Sequence, residues 1–233
     1  MTATETLPAA RRRDTDPHKV DRGARAAPSD GGGGLGDATG RGEGGPASKH
    51  VIVGYGFWIF ILSDMVMFSG FFAAHAVLQN ATAGGPTGRE LFDPREVATE
   101  TACLLASSFV CGLSAVAADV RSRLWTEVAL FVTGLLGAAF LTLEAREFAR
   151  MIAAGDGPQR SAFLSSFFTV VGCHGLHVTA GLLWLGTMMA QVYVKGFRPN
   201  IMRRLLCFNL FWHALDIIWV ALFTIVYLIG AGR

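Results

Sequence analysis

Five long apolar segments set the strongest limit on what this chain can fold into. They cover residues 51–78, 97–118, 124–143, 162–193 and 205–229, and short stretches rich in Gly, Pro and charged residues separate them. About 20 helical residues cross the roughly 30 Å of bilayer hydrocarbon, and every segment reaches that length. A helix satisfies its own backbone polar groups in lipid, whereas an isolated strand cannot. The sequence therefore predicts an all-α integral membrane protein, a bundle of five transmembrane helices.

The first 50 residues have a different composition. They contain 10 of the 28 glycines, no aromatic residue, and eight Lys or Arg against seven Asp or Glu. A stretch with so few large apolar side chains cannot bury enough surface to offset the entropy lost on ordering. We expect residues 1–50 to be a disordered, Gly-rich tail and residues 51–233 to be a single membrane domain. No basic stripe with interleaved aromatic residues occurs, so a nucleic-acid partner is not expected.

The distribution of positive charge predicts the orientation of the bundle. The tail and the loops 119–123 and 195–204 together contain fourteen Lys or Arg, whereas 80–96, 144–160 and the C-terminus contain six. Lys and Arg are enriched in the cytoplasmic loops of membrane proteins. We therefore expect a cytoplasmic N-terminus and, after an odd number of spans, a C-terminus on the outer side, which is the periplasm if the membrane is a bacterial inner membrane.

Ionisable side chains inside the apolar segments are the candidates for function, because each costs at least ~2.5 kcal/mol near the bilayer centre. Asp64 is in the middle of the first segment and has no basic residue within two helical turns. It is either protonated or paired across the bundle, which makes it a candidate for a role linked to protons or lipid. We expect the following residues to be polar members of the bundle core: His75, Glu100, His174, His177, His213 and Asp216.

Three further sets of residues have simpler interpretations. His213 and Asp216, three residues apart, suit hydrogen bonds between helices. Glu144, Glu147 and Arg150 follow the third segment and suit ion pairs at the membrane interface. The four membrane histidines could also suggest a haem protein, but they divide one, two and one over three segments, whereas haem proteins usually place two on each of two helices. No phosphate loop, nucleophile elbow or zinc motif occurs, so no catalytic residue is predicted.

Several motifs resemble those of one family, subunit III of the haem–copper respiratory oxidases. The pattern H-G-L-H-V begins at His174, and W-H-x-x-D-x-x-W begins at Trp212, in consecutive apolar segments. The stretches Gly56-Phe57-Trp58-Ile59, Leu62-Ser63-Asp64 and Phe163-Leu164-Ser165-Ser166-Phe167-Phe168 add to the resemblance. It covers essentially residues 54–230, and the two His motifs together make a far more specific signal than either one alone.

The resemblance implies an accessory subunit of a terminal oxidase, without haem, copper or another metal of its own. The family's main contact is subunit I, which contains the haems and copper, and subunits II and IV complete the complex. The family also binds phospholipids between its helices and supports proton uptake. By position, Asp64 resembles the family's buried carboxylate, and the histidines and Asp216 resemble its core polar residues rather than redox ligands.

Within the family, two features resemble the quinol-oxidase branch, which oxidises ubiquinol and reduces oxygen to water while moving protons outward. The chain has five predicted helices where the mitochondrial type has seven, and Asp64 stands where the cytochrome c branch usually has a glutamate. The alternatives are subunit III of a cytochrome c oxidase and a homologue associated with a nitric-oxide reductase. A transporter would be expected to show broken helices or an inverted repeat, neither of which is evident.

Overall fold

The computed structural model describes residues 49–86, 88–91 and 93–228. The helices there are α1 Lys49–Leu78, α2 Gly88–Leu91, α3 Pro94–Asp119, α4 Arg123–Ala153, α5 Ala162–Lys195 and α6 Pro199–Leu222, and a π-helix, Phe223–Leu228, continues α6. The described residues include no strand, and α1, α3, α4, α5 and α6 with its π-helix are long and apolar enough to span a membrane. The predicted all-α, five-span fold is confirmed.

The predicted tail, residues 1–50, lies outside the described residues except for its last two. Lys49 and His50 are the first residues of α1. The disordered tail therefore stays a prediction.

The five long helices form a closed ring in which α5 and α6 also meet. The neighbours around the ring are α1 and α5, α5 and α4, α4 and α3, α3 and α6, and α6 and α1. Half of the most apolar stretch of the α6 span is buried, against 11% for α1. Thus α6 is the most buried of the five spans, and α1 presents most of its apolar side chains outward.

The helix ends are set by local chemistry. Asp93 caps α3 by accepting a hydrogen bond from the Arg95 backbone at 2.9 Å, and Ser161 caps α5 by accepting one from the Leu164 backbone at 3.1 Å. Such caps satisfy amide groups that the first helical turn leaves unpaired. The turn between α3 and α4 is only three residues long, and Arg121 adopts a positive φ of 59° there. This tight turn holds α3 and α4 antiparallel and in close contact.

Two of the predicted spans were shorter than the helices in the structure. The third span was expected to end at residue 143, but α4 continues to Ala153. The fifth was expected to begin at residue 205, but α6 begins at Pro199. In α4 the extension includes Glu144 and Glu147, which are buried. Hydropathy marks such residues as the end of an apolar segment, although here they point into the bundle.

Candidate functional site

Asp64 lies across the bundle from His177. Asp64 is on α1 and His177 on α5, and their Oδ2 and Nε2 atoms are 3.6 Å apart. The Nδ1 of His177 lies 2.7 Å from the backbone oxygen of Cys173. A carbonyl only accepts, so Nδ1 carries a proton and donates it, and Nε2 is the atom that faces the carboxyl. Of the two possibilities for Asp64, the structure favours pairing across the bundle.

His75, about three helical turns after Asp64 on α1, contacts a different part of α5. Its side chain is 1% exposed, and Nδ1 lies 2.9 Å from the hydroxyl of Ser166. The Ser166 hydroxyl donates its own proton to the Phe163 carbonyl at 2.8 Å, so His75 Nδ1 is the donor in their contact. This bond is the second polar link between α1 and α5.

A line of polar contacts joins α3 to α6. The Ser108 hydroxyl lies 2.7 Å from His213 Nδ1 and also interacts with the Asp216 carboxyl. Two indole N–H groups of α6 donate to hydroxyls of α3: Trp212 to Ser107 and Trp219 to Thr101, both at 3.1 Å. Each contact pairs a side chain of one helix with one of its neighbour, as expected for polar contacts that hold membrane helices together.

His174 is enclosed by aromatic rings. It is 0% exposed, and its ring centroid lies 5.2 Å from that of Trp219, 5.8 Å from Phe140 and 6.4 Å from Phe68. Neither ring nitrogen has a hydrogen-bond partner among the described residues. His174 and His177 share Phe68 as a neighbour but differ in their polar contacts, since only His177 has a hydrogen-bond partner among the described residues.

Three buried carboxyls form a cluster where α3 begins and α4 ends. Glu100, Glu144 and Glu147 are 1%, 3% and 2% exposed, and they are close enough to interact electrostatically. Glu147 accepts a hydrogen bond from the hydroxyl of Tyr227 at 3.4 Å. A Cβ added to Gly175 of α5 would come within 2.7 Å of Glu144 Oε1, so this carboxyl lies directly against the α5 backbone. Below, these three residues are called the inner carboxyls.

The predicted ion pairs of Glu144 and Glu147 with Arg150 differ from the structure. Arg150 instead makes a bidentate ion pair with Glu96 of α3, and both side chains are well exposed. On a helix, Arg150 points about 60° away from Glu147. Glu147 can therefore face the bundle interior while Arg150 reaches water, so only Arg150 of the three forms an ion pair at the bundle end.

Several contact partners were not singled out from the sequence: Ser108, Thr101, Glu96 and Tyr227. Ser and Thr are common in membrane helices and carry no distinctive spacing here, so no sequence signal separates these from the others. Glu96 could have been found, because it lies one turn before Glu100 on the same face of α3.

No metal centre is evident in the part of the chain that the structure describes. No group of three or more His, Cys, Asp or Glu side chains there is arranged to hold a metal ion. Of the four histidines considered for haem, His75, His177 and His213 have protein partners. His174 is surrounded by aromatic side chains.

The fold and these contacts define a polytopic all-α membrane protein whose buried polar groups join its helices. The family model of cytochrome c oxidase subunit III matches residues 37–231. The chain belongs to the cytochrome c oxidase subunit III family, and the resemblance noted from its motifs is confirmed.

Named relatives are similar over most of the membrane domain. The "Cytochrome bo(3) ubiquinol oxidase subunit 3" of Pseudomonas aeruginosa is 50% identical over 177 residues, 76% of this chain and 85% of the relative. The "Quinol oxidase subunit 3" of Bacillus subtilis is 40% identical over 177 residues, 76% of this chain and 87% of the relative. The "Cytochrome c oxidase subunit 3" of Bacillus sp. PS3 is 38% identical over 183 residues, 75% of this chain and 84% of the relative.

Proposed function

We propose that this chain is the accessory third subunit of a proton-pumping terminal oxidase that oxidises ubiquinol and reduces oxygen to water. The observation that carries the proposal is the 50% identity to a ubiquinol oxidase subunit 3 over most of the membrane domain. The polar contacts inside the bundle agree with a supporting role, since they bind one helix to another. The chain thereby stabilises the catalytic subunit and supports proton uptake during aerobic respiration.

The redox chemistry belongs to partner subunits in this proposal. Subunit I, with the haems and copper, is the main contact, and subunits II and IV complete the complex. The apolar outer face of α1 suits both the partner subunits and bound phospholipid, since residues such as Tyr55 and Val66 are about 70% exposed there. We place the complex in a bacterial inner membrane, with the N-terminus of this chain in the cytoplasm.

A cytochrome c oxidase is the second candidate, because a relative with that name is 38% identical to this chain. The two candidates differ in the electron donor of the complex rather than in the role of this chain. The identity to the ubiquinol oxidase relative, 50% against 38%, favours the first candidate. An association with a nitric-oxide reductase remains a third, less supported alternative.

The proposal is tested by purifying the complex in mild detergent through a tag on this chain. We expect a haem-containing partner to co-purify and the complex to oxidise ubiquinol while consuming oxygen. A copper centre in the second subunit and oxidation of cytochrome c would favour the second candidate. A Soret band from this chain alone would contradict the accessory role, and the absence of any haem partner would contradict the oxidase assignment.

A further inference from the structure

Among the described residues, the inner carboxyls make no salt bridge, although Arg150 is close enough to interact electrostatically with Glu100 and Glu147. Each of them keeps one oxygen without a hydrogen-bond partner there: Glu100 Oε2, Glu144 Oε2 and Glu147 Oε1. Of the cations nearby, Arg150 is bound to Glu96 at the surface. Three ionised carboxylates buried side by side would lack the pairing that buried charge requires. Protonation removes that cost, because a neutral carboxyl is far less costly to bury than a carboxylate.

A cavity connects these carboxyls to the end of the bundle. It has a volume of about 190 Å³, and its lining includes Glu100 and Glu147 together with Leu143. The remaining lining residues are Glu96, Arg146 and Arg150, which we call the mouth residues. A polar cavity of this size can hold ordered water. Glu144 does not line the cavity and lies behind the other two carboxyls, against Gly175.

The surrounding helices contribute few other titratable groups. Glu96 comes from α3, Arg146 and Arg150 come from α4, and Tyr227 comes from the π-helix, where its hydroxyl donates to Glu147. On the α5 side, Glu144 meets Gly175, which has no side chain. The charged mouth residues therefore lie at the end of the bundle, Glu100 and Glu147 line the cavity, and Glu144 lies further inside.

We propose that the inner carboxyls form a proton-exchange site. They hold protons inside the bundle and exchange them, through the cavity, with water on the side where α3 begins and α4 ends. Exchange moves a proton between a carboxyl oxygen and water and requires no other reactant. The meaning of the site rests on the proposed function: beside a proton-pumping oxidase, the cluster is a proton reservoir on the side of the membrane opposite the N-terminal tail.

Infrared difference spectroscopy of the purified complex tests the proposal, because the carbonyl stretch of a protonated carboxyl is separate from the bands of a carboxylate. We expect wild type minus Glu144→Gln to show a protonated-carboxyl band that shifts within minutes after transfer to D₂O. The matched control is Glu127→Gln. Glu127 is also on α4 and also has an unpartnered oxygen, but it lies outside the cluster and near Arg123. The Glu127→Gln complex should therefore keep the protonated-carboxyl band, and wild type minus Glu127→Gln should show no such band.

Two conservative variants keep the test decisive if Glu144→Gln fails to assemble. Tyr227→Phe removes the hydroxyl from which Glu147 accepts a hydrogen bond, and Gly175→Ala adds a methyl group against Glu144. Each variant should shift the frequency of the protonated-carboxyl band while all three carboxyls remain. A spectrum unchanged in every variant would overturn the proposal. A band that does not shift in D₂O for hours would also overturn the proposal, because it would show that the protonated carboxyls have no access to water.

Two further outcomes distinguish proton exchange from cation binding and keep the site separate from the oxidase assignment. If a band of ionised carboxylates responds to added Ca²⁺ or Na⁺, the cluster binds cations and the proton site is wrong. If the chain purifies without a haem partner but retains the exchanging band, the oxidase assignment fails and the proton site stands.

Discussion

The Asp64–His177 contact shows how the atoms that face each other in a partly buried pair can be assigned from their hydrogen-bond partners. His177 donates from Nδ1 to the carbonyl of Cys173, so a neutral imidazole presents a bare lone pair to Asp64 from Nε2. The Oδ2 atom of Asp64 lies 3.6 Å from Nε2, so the carboxyl and the ring make a polar contact between α1 and α5.

We expect the effects of Asp64→Ala and His177→Ala to be strongly non-additive. Each single variant leaves one polar group without its partner, and the second change removes that penalty, so the coupling free energy should be about 0.5–1.5 kcal/mol. The measurement is the thermal midpoint at which this chain dissociates from the complex in detergent. Haem content should be unchanged in all three variants, whereas turnover lifetime or lipid retention should fall in the single variants.

The control cycle combines Asp64→Ala with His75→Ala. Both residues are on α1, but His75 binds Ser166 rather than Asp64, so these two effects should add. Additive effects of Asp64 and His177 would mean that the two side chains do not interact across the bundle. Normal association, lifetime and pumping in Asp64→Ala would remove any functional role for that carboxyl.

At the residue scale, the sequence identifies the costly side chains but not their partners. Asp64, Glu100 and the histidines stand out because few ionisable residues occur in the apolar segments. Which neighbour each one meets depends on the rotation of each helix about its axis, and the segments are apolar all round, so no hydrophobic face reveals that rotation. Glu144 and Glu147 were predicted to lie at the membrane interface because the apolar segment was taken to end before the first carboxylate. Their position inside the bundle likewise depends on the rotation of α4 about its axis.

At the element scale, close approach between helices depends on glycines that leave room for large rings. Gly137 of α4 faces Trp212 of α6, and a Cβ at Gly137 would come within 2.9 Å of the indole ring. The indole is 2% exposed and donates to Ser107, so it has little freedom to move. This contact brings α4 and α6 together across the ring of helices.

Gly137→Ala should destabilise the bundle by about 1–3 kcal/mol, because the added methyl group overfills a packed contact. The thermal midpoint of the complex should fall by several degrees. Gly186→Ala is the matched control: Gly186 is on α5, and an added Cβ there meets nothing within 4 Å. That variant should be neutral or stabilising by up to about 1 kcal/mol, since Ala favours helix over Gly. Equal effects at the two positions would show that helix propensity, rather than the contact with Trp212, determines the change in stability.

At the scale of the whole molecule, the number of spans could be predicted from hydropathy alone, whereas the order of neighbours around the ring could not. Length and apolar composition are properties of each segment by itself. Adjacency depends on pairs such as Ser108 with His213, which are 105 residues apart in sequence. Only the α3–α4 and α5–α6 contacts follow directly from the chain, because a three-residue connection forces each pair of helices to be antiparallel neighbours.

The predicted orientation of the bundle rests on fourteen Lys or Arg on one side of the membrane against six on the other. With the N-terminus in the cytoplasm, the α5–α6 connection is also cytoplasmic and the C-terminus is outside. An alkaline phosphatase fused after Arg233 should be active, and the same enzyme fused after Phe197 should be inactive. A fluorescent protein that folds only in the cytoplasm should show the opposite pattern. The reverse result at both sites would place the inner carboxyls on the cytoplasmic side, where their exchange would serve proton uptake rather than a reservoir outside.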